Sequence, residues 1–406
     1  MRISTSTVFS SGIYGMQQLQ TAINQTQQQL SSGKRVTTPA VDPIAAAQAL
    51  VVGQADSINT QYGTNQNSAN TRLSLNESTL QSVTTTIQSI QSLALSAGNS
   101  SLTNSDRSAI ASQLGGLYQQ LIGLSNSTDG SGVYLFAGGM GNVQPFQNTP
   151  SGVQYSGDQS NQQLQISPSE QVQVSLSGAD VFQNVRTGNG FFVTQAATTN
   201  TGSATVDSSL VTNQANWNAS SKNFTVKFSV SGGATTYDVI DNSTNTAVLT
   251  GQPYTAGNAI ALGTAGASIN VSGAPANGDS ISVNPGKTQS VFTTIQNLIT
   301  TLQTPANDSA SRATLTNNLN DANQNLTNAL QNVLTIRAAN GARLNEVTTA
   351  QSTTQSLGLQ YKSRLSTLTD VDYAAAISQL NQQTMALTAA QKSFAQVSNL
   401  SLFTYL

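Results

Sequence analysis

The chain has 406 residues, long enough for two or three domains, yet only 8% are charged and the net charge is −2, against roughly 25% charged residues in ordinary soluble domains. So sparse a basic content argues against nucleic-acid binding, which needs a patch able to release counterions. The absence of Cys and His excludes disulfides, thiolate metal sites, most zinc sites, His-based general acid–base catalysis and the Ser-His-Asp arrangement. Gln, Asn, Ser and Thr take the place of the charges, and a surface with little self-repulsion suits packing against many copies of one chain.

Phe9, Met16, Ile23 and Leu30 fall seven residues apart, with Leu19 in the companion register. They predict a first helix, weakened by Gly12 and Gly15 and stopped at Gly33. Pro39 and Pro43 break the chain, and Asp42-Pro43 reads as the N-cap and first residue of a second helix running to about Ala97. Leu73, Leu80, Ile87 and Ala94 form one register of its stripe, with Val83, Ile90 and Ala97 in the second. That alternating spacing is a coiled-coil seam. A third helix follows the capping residues Thr103 to Asp106 and carries Ile110, Leu114, Leu117, Leu121 and Leu124 on one face.

The period changes at the run Val133-Tyr134-Leu135-Phe136. Val153 and Tyr155, Leu164 and Ile166, then Val172, Val174 and Leu176 alternate with polar residues, as half-buried strands do. The alternation is clearest in Phe224, Val226, Phe228 and Val230, and Tyr237/Val239, Ile269/Val271 and Ile281/Val283 continue it. Gly-rich turns such as Ser231-Gly232-Gly233 separate these runs, and Trp217 reads as a core residue of the same region. Helical period resumes at Val291, Ile295, Leu298 and Leu302. It returns in heptads as Leu319, Ala322, Leu326, Ala329, Val333 and Ile336, then Val347, Ala350, Leu357, Tyr361 and Leu368. Ile377, Leu380, Leu387 and Phe394 mark the last helix, before an apolar end that includes Leu402, Phe403, Tyr405 and Leu406.

A long amphipathic helix cannot bury its stripe alone, and the only long partners for the first set lie in the second. The expected class is α+β: a discontinuous, coiled-coil-like α-helical rod from both termini with an inserted antiparallel β domain. The expected domains are residues 1–42 plus 366–406, residues 43–190 plus 286–365 with a β-hairpin region, and a β domain at 191–285. No run of about 20 apolar residues exists, so no membrane insertion is expected. The first residues, Met1 to Thr7, lack the apolar core of an ordinary secretory signal.

Leu30-Ser31-Ser32-Gly33-Lys34-Arg35-Val36, followed by Pro39, Asp42-Pro43 and Ile44-Ala45-Ala46, resembles the N-terminal signature of the flagellin superfamily. Gly33-Lys34-Arg35 and Asp42 to Ala45 resemble its hook-associated members more than the filament subunit. Val133 to Gly138, Arg343-Leu344-Asn345, Asp370 to Ala375 and Ser401 to Leu406 are similar to the hook–filament junction members. The resemblance covers residues 1–180 and 286–406, with one departure at Val41, where an acidic residue is common.

That resemblance implies a structural protein of the bacterial flagellum, exported unfolded by the flagellar type III apparatus without a cleaved signal peptide. A cytoplasmic chaperone would engage its C-terminal helical region. It would assemble outside the cell as a ring-like layer of its own copies, linking hook-associated protein 1 to flagellin. The terminal segments 1–42 and 366–406 would be disordered in the monomer and fold on assembly. The expected subunit-interface residues are Phe9, Met16, Ile23, Leu30, Leu380, Leu387, Phe394, Leu402 and Phe403, though the pattern alone fits an intramolecular core equally well. Lys34 and Arg35 read as a solvated helix end or a contact for an acidic partner. No enzyme, cofactor or metal is expected: a His-Glu-x-x-His peptidase is excluded, and Asp207, Asp238, Asp241 and Asp279 have the spacing of turn residues. The rival readings are a flagellin filament subunit and a surface adhesin whose β insert binds a host glycan or protein.

Overall fold

The structure is a computed structural model that describes residues 5–150 and 152–399. The heptad-bearing stretches are helical: α1 Thr5–Ser32, α2 Pro43–Ala97 and α3 Asn104–Ser125 before the β region, α5 Val291–Gln303, α6 Ser309–Thr369 and α7 Tyr373–Asn399 after it. Between them come β1 Phe146–Thr149, β2 Gly152–Tyr155, β3 Gln163–Ser167, β4 Glu170–Gln173, β5 Val185–Arg186, β6 Phe192–Ala196, β7 Thr205–Val211 and the short helix α4 Gln214–Ala219. The strands continue with β8 Phe224–Ser231, β9 Ala234–Asp241, β10 Thr246–Pro253, β11 Ala259–Ala261, β12 Ala267–Ser272, β13 Ser280–Pro285 and β14 Thr288–Gln289. The chain packs as two compact units, one of residues 1–66, 166–168 and 349–406 and the other of 67–165 and 169–348. The class is α+β, as the change from a 3.5-residue to a 2-residue period implies.

In the second unit, the α2 stripe is fully dry. Leu73, Leu80, Val83, Ile87, Ile90 and Ala94 have no exposed surface. Leu80 to Ala97 share one core with Leu114 and Leu121 of α3, Ile295 and Leu298 of α5, and Leu326 and Val333 of α6. α3 begins with a complete capping box, in which Thr103 and Asp106 satisfy each other's backbone N–H. A π-helical turn at Ala179–Gln183 sends Phe182 into this core. It stacks on Phe292 at 5.6 Å and meets the edges of Phe136 and Phe146 at 5.4 and 5.3 Å. Across the helices, Glu77 accepts a charge-assisted bond from Arg337 at 2.7 Å.

The insert has its own core. Its sheets run β10-β9-β8-β13-β6 and β11-β12-β7, and every strand pair in them is antiparallel. Phe224, Val226, Phe228, Val239, Ile269, Val271, Ile281 and Val283 point inward together, as their alternation implies. Trp217 lies on α4, 1% exposed, against Phe192 at 4.9 Å and Phe224 at 6.3 Å. Gly232 and Gly233 join β8 to β9 with φ of +59° and +82°, the two left-handed residues a tight hairpin of this twist requires.

A row of asparagines on α6 holds the insert and the segment before it by their main chains. Asn317 accepts from the Val206 N–H at 2.8 Å, and Asn320 donates to the Val206 carbonyl at 3.0 Å, which covers the free edge of β7. Asn325 accepts from Gly188 N–H, Asn328 donates to the Arg186 and Gly188 carbonyls, and Asn332 donates to those of Asp180 and Val181. Replacing Asn328 and Asn332 together with Ala leaves four main-chain carbonyls without these partners, two of them part-buried. The expected cost is about 2–3 kcal/mol, read as a lower urea midpoint with an unchanged slope.

A clasped pair of terminal helices as the candidate assembly site

In the first unit α1 packs on α7, and the breaks that delimit these helices lie side by side. α1 stops because Gly33 takes φ of +69°. A Cβ there would sit 3.1 Å from the Tyr373 hydroxyl, besides adopting a conformation L-residues avoid. The Gly33 carbonyl accepts from Val371 N–H at 3.0 Å and the Thr369 carbonyl from Arg35 N–H at 2.7 Å, so that Lys34 and Asp370 form an antiparallel bridge. Lys34 Nζ lies 2.7 Å from Asp370 Oδ1. The Arg35 guanidinium donates to the Leu368 carbonyl at 2.8 Å, near the end of α6, and to Asp42 at 3.0 Å. Asp42 in turn accepts from Ala45 N–H at 3.0 Å and caps α2, while Asp372 caps α7 through the N–H groups of Ala374 and Ala375. Lys34 and Arg35 keep 53% and 43% of their side-chain surface exposed, yet both have partners within the chain. They fasten the α1–α2 link to the α6–α7 link.

Lys34, with help from Ser366 and Thr369, holds the Asp370 carboxyl below the usual carboxylate range. The Ala45 N–H and then the Arg35 guanidinium do the same for Asp42. A depressed folded-state value means that the stabilisation is complete above the ordinary carboxylate range, about pH 4, and is lost as pH falls through the folded values. In assembled junctions the amides of Arg35 and Val371 are therefore expected to lose exchange protection as pH falls below the ordinary carboxylate range, while the dry α2 stripe keeps its own. Equal retention at both places would show that the ion pairs do not hold the clasp.

Of the sequence-predicted interface residues, Phe9 and Phe394 meet edge to face with ring centroids 5.2 Å apart. Gly12 lets them approach, since a Cβ there would lie 2.9 Å from the Phe394 ring. Ile23 is buried, and Met16, Leu30, Leu380 and Leu387 are half-buried on the same two helices. Leu402 and Phe403 lie outside the described residues. Thr26 adds a 3.0 Å bond to Gln383 across the pair. The unit has little else inside: in α1 only Ile23 and Thr26 are buried, and in α7 only Ala376, among the described residues.

A second apolar set on these helices, all but Ile377, escaped the heptad count. Val8, Ile13 and Tyr14 of α1, Ile44, Leu50 and Val51 of α2, Leu359 of α6, and Tyr373, Ile377 and Met385 of α7 are exposed, Leu50 by 74% and Met385 by 72%. These exposed side chains lie on or beside the helices that bury least of their own surface. The signal was present as apolar residues on a second face of each helix, such as the adjacent Leu50-Val51.

The four carboxylates weighed for catalysis do other work. Asp279 accepts from the N–H groups of Thr201, Gly202 and Ala276, Asp238 from Gly251 and Asp241 from Ser243, while Asp207 pairs with Ser272. Each closes a turn or joins neighbouring strands. No helix among the described residues is long and apolar enough to cross a membrane.

The family model for the bacterial flagellin N-terminal helical region matches residues 3–140. FlgL of Xanthomonas campestris, a solved structure, is 33% identical and superimposes with a TM-score of 0.72 over 78% of this chain and 99% of its own. This chain belongs to the flagellar hook-associated protein 3 family. Flagellar hook-associated protein 3 of Salmonella typhimurium is 28% identical over 404 residues, 99% of both chains. The flagellar junction protein FlgL of Legionella pneumophila is 29% identical, with a TM-score of 0.72 over 80% of this chain and 100% of its own. These relatives are structural parts of the flagellum rather than enzymes, in keeping with the division of labour among the carboxylates.

Proposed function

We propose that this chain is the hook–filament junction subunit of a bacterial flagellum, assembled outside the cell as a ring-like layer of its own copies between hook-associated protein 1 and flagellin. The observation that carries the reading is the exposed apolar set around α1 and α7, on helices that bury almost nothing of their own. Isolated helices are marginal in water without tertiary burial. Segments 1–42 and 366–406 therefore act as a terminal domain, disordered in the free subunit, that orders when neighbours cover it. Phe9, Met16, Ile23, Leu30, Leu380, Leu387, Phe394, Leu402 and Phe403 form its seam. Residues 43–190 with 286–365 carry the load, and the insert at 191–285 faces outward. Export runs through the flagellar type III apparatus, with a chaperone on the C-terminal helices until release. The names borne by the relatives support this reading.

The test is deletion of the gene, with electron microscopy of the cells and an assay of flagellin in the medium. Hooks without filaments and with flagellin released into the medium are the expected outcome. Filament loss without released flagellin would instead identify a filament subunit, and intact motile flagella an adhesin.

A further inference from the structure

The second unit contains a cleft of about 920 Å³ that none of the assembly surface uses. Gln195 on β6 and Lys287 line one side, and Asn297 on α5 with Asn318 and Asp321 on α6 line the other. We propose that this cleft binds a neutral oligosaccharide, held by hydrogen bonds from carboxamide, hydroxyl and carboxyl groups to the sugar hydroxyls.

The chemistry of the lining selects that class. The cleft carries one carboxyl and one ammonium, Asp321 and Lys287, so it offers no cluster of like charge to hold an ion of either sign. No group of three or more metal-ligating side chains exists among the described residues, and a lone carboxylate is too little for a divalent cation. Most of the remaining walls are Asn, Gln and Thr, whose amides and hydroxyls donate and accept in equal measure, as a sugar hydroxyl does. Gln195 and Asn297 are exposed and Asp321 is half-buried, so all three side chains can reach a ligand in the cleft. Leu298, Val193 and Ala322 supply a small apolar floor for sugar C–H groups. The volume is near the upper end of the roughly 300–1,000 Å³ of ligand pockets, enough for more than one ring. Burial also raises the Asp321 pKa to about 7, so that near neutrality the group both donates and accepts. The inference goes beyond the junction role and does not depend on it.

The experiment follows the side-chain amide resonances of Gln195 and Asn297 in the ¹⁵N-labelled full chain during titration with maltotriose and, separately, chitotriose, up to about 20 mM, which covers affinities near the 1 mM level of about −4 kcal/mol. Saturable shifts at both amides with at least one trisaccharide are expected, and Asn297→Leu should weaken binding tenfold or more. Asn297 is exposed, so the backbone spectrum of the variant reports whether the fold survives. Unmoved amides with both sugars, or an unchanged titration in Asn297→Leu, would overturn the assignment. So would saturable binding of spermidine in place of the sugars, which would mean that the cleft takes a cation.

Discussion

Phe394→Asp is expected to abolish incorporation of the subunit while leaving the second unit folded. Phe394 meets Phe9 at 5.2 Å, and Gly12 leaves no room for the ring to retreat toward α1. A carboxylate at this half-buried position loses the aromatic contact and part of its hydration, a combined cost of about 3 kcal/mol. Pairing of α1 with α7 then weakens by at least about 100-fold at roughly 1.4 kcal/mol per decade. The dry core around Ile87, Phe182 and Leu326 belongs to the other unit and contains neither helix. In deletion cells supplied with the variant, filaments should be absent while thermal unfolding of the purified protein keeps its main transition. Normal filaments would remove α7 from the assembly seam.

The second large effect concerns Asp321, whose carboxyl burial pushes up to about 7. A raised value means that the folded state favours the protonated form. Stability is then complete below the ordinary carboxylate range, falls as pH rises from about 4 to 7, and is flat above. Asp321→Asn keeps the shape and deletes the charge. It is expected to raise unfolding stability by about 2–4 kcal/mol at pH 8 and by almost nothing at pH 3. Urea midpoints measured across that range check it, and parallel profiles for the two proteins would show that the carboxyl is better solvated than its surroundings imply.

The helical framework was legible because Leu73, Leu80, Ile87 and their partners in α6 repeat at a heptad period, and burial of that stripe admits few alternatives. The insert was legible for the matching reason, since Phe224, Val226 and Phe228 alternate. Other features leave no periodic trace. The asparagines of α6 grip main-chain carbonyls and amides, which any residue supplies, so nothing in the partner segment betrays them. Lys34 and Asp370 are 336 positions apart, and a single ion pair at that separation has no signature in one sequence. The helix α4 hides in a β region because its six residues are too few to establish a period. At the candidate site, heptad counting found Phe9, Ile23 and Phe394 but passed over Tyr14, Leu50 and Met385, because it seeks one stripe per helix and these helices carry two.

The central claim is that α1 and α7 acquire their stability from neighbouring subunits. Amide hydrogen exchange measured on the free protein and on assembled junctions tests it most directly. The expected result is fast exchange throughout Thr5–Ser32 and Tyr373–Asn399 in the free protein and strong protection after assembly, with α2 from Leu73 to Ala97 protected in both. Protection of α1 and α7 in the free protein equal to that of the α2 stripe, and unchanged on assembly, would contradict it.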